Sequence, residues 1–246
     1  MTSQVAYLAS AVNSDEYDAN GVLVLKRFFD DVTVGRLTSA WQTLKRDFNA
    51  AALDRNARFL FGALPGEIGR LYSNPSLVRL AQSLLGPDIA LYMNRVLLKD
   101  EHWSGAVAIH QDMPYFNGGQ QKLSIFVPLQ PTQAEGGNGG LKFVIGSHKY
   151  GNLERGTIDR SQFKPMAEIA PALDVGDIVV MNFLIWHYSE DAVIPDERPL
   201  MQVVYQPSTD GSYGGAKLGV PEPTLVCGAW RTDYFAERGR GVTPDV

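Results

Sequence analysis

The sequence predicts one domain of mainly β structure, in which helices flank two sheets that form a sandwich or barrel. Six short apolar runs lie between residues 89 and 205, and clusters of turn-forming residues separate them. Short strands at this spacing are typical of sandwich and barrel folds. Two amphipathic helices precede the runs, and a chain of 246 residues is long enough for one domain with a sizeable core.

The first 86 residues predict a helical buttress for the sheets. A weakly patterned helix is expected over residues 3–19, and Gly21-Val22-Leu23-Val24-Leu25 predicts a buried strand. Another helix begins at the capping carboxylates of Asp30-Asp31. A further helix is expected over residues 74–85, where Asn-Pro supplies the cap and the first helical position and Gly-Pro ends the helix. The helix after Asp30-Asp31 has an apolar stripe at helical spacing, formed by Leu37, Trp41, Leu44 and Phe48.

The strands are expected over residues 89–99, 106–111, 122–129, 141–145, 177–188 and 200–205. They place the sheet core at about residues 87–206 of a single domain that spans 1–246. The segment 207–246 is rich in glycine and proline, and we expect it to cover the core as a lid or to form a tail.

Composition and charge exclude several classes of function. The net charge of −5 argues against nucleic acid or an anionic membrane as a partner, because both attract a basic surface. Cys227 is the one cysteine, so neither an internal disulfide nor a cysteine-based zinc cluster can form. No apolar run approaches the ~20 residues of a membrane span, and the N-terminus lacks a signal-peptide pattern. We therefore expect a cytoplasmic protein that acts on a small molecule, and the sequence carries no signal for its oligomeric state.

The run Val107-Ala108-Ile109-His110-Gln111-Asp112 ends in a candidate pair of metal ligands. Side chains alternate along a strand, so His110 and Asp112 point to the same face. His187, at the end of the expected strand 177–188, is the best candidate for a third ligand. Two histidines and one carboxylate form the facial triad of non-haem Fe(II) oxygenases, which leaves coordination positions open for cosubstrate and oxygen.

Arg198 and Ser189 complete the predicted site. If residues 177–188 and the next strand form a hairpin with its tip near Ala192-Val193, His187 and Arg198 lie opposite each other. Ser189 is two residues beyond His187 and shares its face. A metal beside a guanidinium and a hydroxyl suits a dicarboxylic acid, because one end can chelate the metal while the arginine binds the other end.

These residues resemble the phytanoyl-CoA dioxygenase family of Fe(II)/2-oxoglutarate oxygenases. His110-x-Asp112, His187 and, eleven residues later, Arg198 have the order of the family's site. The strand Leu123–Leu129, the glycine-rich turn after it and the tetrapeptide Gly146-Ser147-His148-Lys149 are similar to the family's central signature. Residues 20–25 are similar to its opening strand, so the resemblance runs from about residue 16 to residue 206.

The resemblance implies a double-stranded β-helix (jelly-roll, cupin-like) core. It implies Fe(II) held by His110, Asp112 and His187, and it implies 2-oxoglutarate with its distal carboxylate bound by Arg198 and Ser189. The implied reaction uses O2 to hydroxylate an unactivated C–H bond of a small metabolite, such as a natural product or an amino-acid derivative, with release of succinate and CO2. In this family the position of His148 belongs to a turn that supports the fold, so we do not assign it as a ligand.

Residues around the ligands are expected to contact the bound molecules. Asn94 and Arg95 lie on a strand that should neighbour the site, and we assign Asn94 to the cosubstrate. The residues expected to contact substrate are Arg95, Gln111, Met113, Tyr115 and Phe116.

Three alternatives stay open. The same iron site could catalyse desaturation, epimerisation or ring formation. A jelly-roll protein could also bind a ligand without oxidising it, with zinc or with no metal, although such a protein has no need of Arg198 opposite His187. A zinc hydrolase with the same ligands would need a general base beside a metal-bound water.

Overall fold

The computed structural model describes residues 14–50, 59–60, 64–101, 103–119, 121–135, 137–194 and 196–230. For residues 48–50 and 59–60 it describes the backbone and not the side chains. The first part of the helix expected over residues 3–19, most of residues 51–63, His102 and residues 231–246 lie outside this description.

Helices precede most of the strands, as the sequence predicts. The α-helices of the described chain are α1 Ser14–Asn20, α2 Asp31–Ala50, α3 Gly66–Gly69 and α4 Pro75–Leu85. Its strands are β1 Val22–Leu25, β2 Phe59–Leu60, β3 Ile89–Lys99, β4 Val107–His110, β5 Leu123–Pro128, β6 Leu141–Val144, β7 Glu168–Ile169, β8 Ile178–Asn182, β9 His187–Ser189, β10 Arg198–Pro207 and β11 Thr224–Cys227. Short 3-10 helices include Met113–Tyr115, Ser147–Tyr150 and Ala216–Leu218.

The strands form two antiparallel sheets. Within the described chain, the larger sheet has the order β1-β8-β5-β10-β3-β11, with β2 also paired to β3, and the smaller sheet has the order β4-β9-β6-β7. The chain passes repeatedly between them, since β8 lies in the larger sheet, β9 in the smaller and β10 in the larger again. This alternation is that of a double-stranded β-helix, and the expected jelly-roll core is confirmed.

The larger sheet is buried on both faces. On β8, Ile178 and Val180 pack toward the helices, whereas Val179 and Met181 pack toward the smaller sheet. Because both faces are covered, alternate residues are equally apolar and the strand is a continuous apolar run in the sequence. The helical side that covers the sheet includes Leu37 and Trp41 of α2 and Leu77 and Leu80 of α4.

Side-chain caps begin the two long helices where the sequence predicts. Asp30 Oδ1 accepts a hydrogen bond from the Thr33 amide at 2.8 Å, before α2. Asn74 Oδ1 accepts from the Ser76 amide at 2.9 Å, before α4, and Gly86 ends that helix at a φ of 99°. None of the described helices is both long enough and apolar enough to cross a membrane.

Residues 177–188 do not form one strand, contrary to the sequence-based expectation. β8 ends at Asn182, whose Oδ1 accepts a hydrogen bond from the Leu184 amide at 2.9 Å and whose carbonyl accepts one from the Ile185 amide at 3.0 Å. These bonds form a turn that takes the chain into the smaller sheet, where β9 begins at His187. Phe183 and Ile185 are fully buried within the turn, so its composition resembles that of a strand.

The glycine-rich segment after β10 packs along the edge of the larger sheet. Lys122 Nζ lies 2.6 Å from Asp210 Oδ2, and the Gly214 amide donates to the Tyr92 carbonyl at 2.9 Å. Further on, β11 pairs with β3, which the sequence did not predict because glycine and proline surround this short strand. The 3-10 helix Ala216–Leu218 is thereby placed beside the cavity described below.

Candidate metal centre and its cavity

Strands β4 and β9 bring the two predicted histidine ligands together. They pair in the smaller sheet with His110 and His187 as register partners. Paired residues present their side chains on the same face, and the two ring centroids are 4.3 Å apart. Asp112 is two residues beyond the end of β4, where its φ of −73° and ψ of −39° begin the 3-10 helix Met113–Tyr115.

The three predicted ligands form a cluster whose donor atoms lie within 4.8 Å of one another. Asp112 Oδ1 is 3.8 Å from His110 Nε2 and 3.7 Å from His187 Nε2. The other ring nitrogen of each histidine contacts a backbone carbonyl, Ala108 O for His110 at 2.8 Å and Ile185 O for His187 at 3.2 Å. A carbonyl can only accept, so Nδ1 of each ring is the donor, and Nε2 is the nitrogen through which the neutral ring can bind a metal.

Burial keeps His187 in the form that binds metals. Burial and then the neighbouring His110 lower the pKa of His187 to about 4. The ring is therefore neutral at physiological pH. Neutral imidazoles beside a carboxylate are a donor set that suits divalent first-row metals.

A buried glutamine orients the carboxylate of Asp112. Gln202 Nε2 donates to Asp112 Oδ2 at 3.2 Å and to Ser124 Oγ at 3.0 Å. Its own Oε1 accepts a hydrogen bond from Arg95 Nε at 2.8 Å. Gln202 is fully buried, so its amide is fixed at both ends. The bond to Oδ2 leaves the other oxygen, Oδ1, facing the histidines.

Arg198 is a buried cation without a partner among the described residues. Neither its Nε nor its Nη1 has a hydrogen-bond partner there, and the same is true of Ser189 Oγ. Arg198 is 3% exposed and Ser189 is 1% exposed, and burial lowers the pKa of Arg198 to about 10. An unpaired buried guanidinium is energetically costly, so an anionic ligand is its natural complement.

The hairpin that the sequence predicted for His187 and Arg198 does not form. β9 pairs with β4 and β6 in the smaller sheet, whereas β10 pairs with β3 and β5 in the larger sheet. The register partner of Arg198 is Lys99. His187 and Arg198 still line one cavity, because the cavity lies between the sheets and residues 190–197 cross from one sheet to the other.

A cavity of about 1080 Å³ contains the cluster. This volume is large enough for a cosubstrate and a small substrate together. The predicted residues Arg95, Tyr115 and Phe116 line it, as do Ser189 and Arg198. Much of the remaining wall is apolar, formed by Leu97, Leu98, Trp103, Val107, Phe126, Leu141 and Leu218.

Residues 17–198 match the family model for phytanoyl-CoA dioxygenase (PhyH). The chain belongs to the phytanoyl-CoA dioxygenase family. A 2-aminoethylphosphonate dioxygenase of uncultured bacterium HF130_AEPn_1 is 24% identical over 175 residues, which are 68% of this chain and 58% of that protein. The chain thus spans less than two thirds of the length of this relative.

Several solved structures share the fold. The epimerase SnoN from nogalamycin biosynthesis has a TM-score of 0.68 at 22% identity, over 85% of this chain and 83% of that chain. The apo form of EctD from S. alaskensis has a TM-score of 0.69 at 23% identity, over 89% of this chain and 85% of that chain. The non-heme monooxygenase ThoJ has a TM-score of 0.68 at 22% identity, over 88% of this chain and 84% of that chain.

Three residues that the sequence assigned to this family's site do not line the cavity. Asn94 was expected to contact cosubstrate, but it neighbours Arg95 on β3, and alternation puts its side chain on the opposite face, where Nδ2 donates to the Gly69 carbonyl at 2.9 Å. Gln111 donates to the carbonyls of Gly151 and Leu184. Met113 packs in an apolar cluster with Tyr92, Met93, Phe183, Val204 and Leu218.

Sequence reasoning missed several lining residues of this phytanoyl-CoA dioxygenase family member. Gln202 sits in the middle of an apolar strand, and a polar residue at such a position is the signal that could have identified it. Arg155 and Lys217 also line the cavity. Both lie in connecting segments without a motif, so no local pattern marks them.

Proposed function

We propose that the protein is a non-haem Fe(II)- and 2-oxoglutarate-dependent dioxygenase that hydroxylates an unactivated C–H bond of a small metabolite. One atom of O2 enters succinate as 2-oxoglutarate loses CO2, and the other atom enters the product alcohol. The main support for this proposal is that two different features line the same cavity. One is the cluster of His110, Asp112 and His187, and the other is the unpartnered Arg198.

His110, Asp112 and His187 would hold the iron. Their two neutral nitrogens and one carboxylate fit the metal, and backbone carbonyls and Gln202 fix their orientation. When bound, iron supplies the oxygen activation that no side chain can perform. The chain's own task is to position the reacting groups and to exclude water, which the apolar wall of the cavity does.

Arg198 and Ser189 would hold the distal carboxylate of 2-oxoglutarate. A guanidinium offers two parallel N–H donors to a carboxylate, and the serine hydroxyl offers a third. These groups lack partners among the described residues, and the cosubstrate would satisfy their buried donors. Its other end would then reach the metal cluster in the same cavity.

Relatives support this proposal. One relative is a dioxygenase of 2-aminoethylphosphonate. SnoN was solved with Fe3+, alpha ketoglutarate and nogalamycin RO, and EctD was solved with 2-oxoglutarate and 5-hydroxyectoine. All three act on or bind small molecules, which favours a small-molecule substrate here.

A second candidate outcome is epimerisation, ring formation or desaturation at the same site. Its support is that SnoN is an epimerase and that SnoK, with a TM-score of 0.64 over 87% of this chain, is a carbocyclase. The ligands and Arg198 would have the same tasks in either case. A zinc hydrolase is disfavoured, because Asp112 is the sole carboxylate among the described lining residues and no second one is present to act as general base.

Replacing Arg198 tests the cosubstrate assignment. In an anaerobic calorimetric titration at saturating Fe(II), Arg198→Ala is expected to weaken 2-oxoglutarate binding at least tenfold and to leave Fe(II) binding unchanged. Arg198→Lys should restore binding only in part, because lysine lacks the bidentate geometry.

Thermal unfolding provides a second measurement on the same variant. 2-Oxoglutarate should raise the Tm of the wild-type protein but not that of Arg198→Ala. Without cosubstrate the variant should be at least as stable as wild type, since it removes an unpaired buried charge. Arg79→Ala, an exposed arginine on α4, is the matched control. Wild-type affinity for 2-oxoglutarate in Arg198→Ala would contradict the assignment.

A further inference from the structure

The cavity is positively charged although the protein is acidic. Arg95, Arg155, Arg198 and Lys217 line it, and Asp112 is the sole acidic residue among the described lining residues. The whole chain has a net charge of −5. The excess of cations is therefore a property of this cavity, and it raises the local concentration of anions.

Two of the four cations already have tasks in the proposed site. Arg198 is assigned to the cosubstrate. Arg95 is buried, donates to Gln202 and interacts with the charge of Asp112. Arg155 and Lys217 have neither task, and among the described residues neither forms an ion pair with a carboxylate. Both side chains are exposed to the cavity and to solvent.

Arg155 is positioned relative to the metal cluster. Its guanidinium lies over the ring of Tyr115, 4.7 Å from the centroid. The ring of Tyr115 in turn makes an edge contact with His110, with centroids 5.8 Å apart. One aromatic ring therefore separates this cation from a predicted iron ligand.

The loop that carries Arg155 is fixed by Gln111, which lies between the predicted iron ligands His110 and Asp112. Gln111 Nε2 donates to the Gly151 carbonyl at 2.8 Å, and the Leu153 amide donates to Gln111 Oε1 at 2.9 Å. After Arg155, the Ile158 amide donates to the Ile109 carbonyl at 3.0 Å. The loop is thus attached on both sides to the segment that contains His110 and Asp112.

The segment that carries Lys217 is attached near the opposite end of β3 from Arg198. This segment is attached through the Gly214 amide to Tyr92 of β3, whereas Arg198 is the register partner of Lys99 on the same strand. Seven residues of strand separate these two points, which is about 23 Å. A five-carbon cosubstrate is shorter than this separation, so the two attachment points belong to different parts of the cavity wall.

We propose that the substrate carries an oxyanion, either a carboxylate or a phosphonate or phosphate group, which Arg155 and Lys217 bind at the end of the cavity away from Arg198. The apolar part of the substrate then lies against Phe116 and Leu218, with the metal cluster between the two anion sites. This inference rests on the proposed function, since it gives the class of substrate for the same site.

The test compares matched charged and neutral probes by calorimetry, on protein preloaded anaerobically with Fe(II) and saturating 2-oxoglutarate. Phenylacetate is compared with phenylacetamide, and benzylphosphonate with its dimethyl ester. At least one oxyanion should bind ten or more times more tightly than its neutral partner, and raising the salt from 50 to 500 mM should weaken that binding. The two oxyanion arms distinguish a carboxylate substrate from a phosphonate or phosphate substrate.

Variants assign the effect to the two cations. Arg155→Ala and Lys217→Ala should each weaken oxyanion binding roughly tenfold and leave 2-oxoglutarate binding unchanged. Arg79→Ala and Lys164→Ala, which are exposed and do not line the cavity, should change neither. The proposal is overturned if neither oxyanion binds more tightly than its neutral partner, or if both cavity variants bind it as wild type does. Failure of the proposed function would instead be seen as loss of the Fe(II) and 2-oxoglutarate binding steps.

Discussion

Single side chains hold the candidate iron ligands in place. Asp112 offers one oxygen to the cluster because Gln202 binds the other, and Gln202 is itself fixed by Ser124 and Arg95. Partners of this kind set the orientation of a ligand and tune its affinity for metal. We therefore regard Gln202 as a positioning residue for Asp112.

Gln202→Leu tests this role. The change removes the bond to Asp112, so the Fe(II) dissociation constant should rise by roughly 10- to 100-fold in an anaerobic titration. At saturating Fe(II), 2-oxoglutarate affinity should change much less, because Arg198 binds its distal carboxylate. Gln162→Leu, on a surface 3-10 helix, is the control. Unchanged Fe(II) affinity in a folded Gln202→Leu protein would contradict the role of Gln202 in positioning Asp112.

Local spacing predicted the three metal ligands, whereas residues that reach the cavity from other parts of the fold were missed. His110 and Asp112 are two positions apart, a spacing that a sequence displays directly, although β4 ends at His110 and Asp112 itself has helical φ and ψ values. Gln202, Arg155 and Lys217 reach the cavity through sheet order and loop attachment, which no local spacing displays. Asn94 was assigned to the cosubstrate, but its side chain points away from the cavity, because a sequence does not show which of two adjacent side chains faces inward.

At the scale of elements, the buried carboxylate of Asp177 ties β1 to the strand that precedes His187. Asp177 accepts hydrogen bonds from the Arg27 amide at 2.7 Å and the Asp174 amide at 2.8 Å, and it pairs with Lys26 Nζ at 2.5 Å. Arg27 has a φ of 51°, which is uncommon for a residue other than glycine. These bonds hold β1 in register with β8.

Asp177→Ala should destabilise the protein by about 1–3 kcal/mol at neutral pH, because two backbone amides lose their acceptor. Burial works against ionisation of Asp177, but hydrogen bonds from Lys26, Arg27 and Asp174 hold its pKa below the usual value. As the pH falls, the unfolded chain takes up the proton first. The stabilisation is therefore present above about pH 4 and is lost below it.

Denaturant unfolding of wild type and Asp177→Ala at several pH values measures how this stabilisation depends on pH. The difference in the free energy of unfolding between wild type and Asp177→Ala should be largest at pH 7 and should decrease below about pH 4. Asp47→Ala, which replaces a carboxylate that is 67% exposed on α2, should show little effect at either pH. A gap that stays constant down to pH 2 would contradict the assigned pKa shift.

Most helices and strands could be predicted from the sequence, but the pairing of the strands into sheets could not. Caps and periodicity placed α2, α4, β3 and β5, since these signals are local. The division of residues 177–188 into β8 and β9 was missed because the turn between them is as apolar as a strand. The predicted hairpin of β9 and β10 was wrong because the sheet to which each strand belongs depends on pairing with strands distant in sequence.

At the scale of the molecule, the jelly roll joins two half-sites that belong to different sheets. The smaller sheet supplies His110, His187 and Ser189, and the larger sheet supplies Arg198 and Gln202. The repeated crossing of the chain between sheets therefore makes one cavity from residues that no single sheet contains. The helices α2 and α4 support the larger sheet from outside and leave the cavity side free for ligands.

An anaerobic titration with Fe(II) and 2-oxoglutarate, followed by visible absorption, shows whether the histidine and aspartate cluster and Arg198 together form an iron and cosubstrate site. We expect a weak metal-to-ligand charge-transfer band that requires both components, because 2-oxoglutarate would chelate iron held by His110, Asp112 and His187. Asp112→Ala should abolish the band, and Arg198→Ala should require at least ten times more 2-oxoglutarate to develop it. Iron that binds without producing the band, or a protein that binds no iron, would contradict the account.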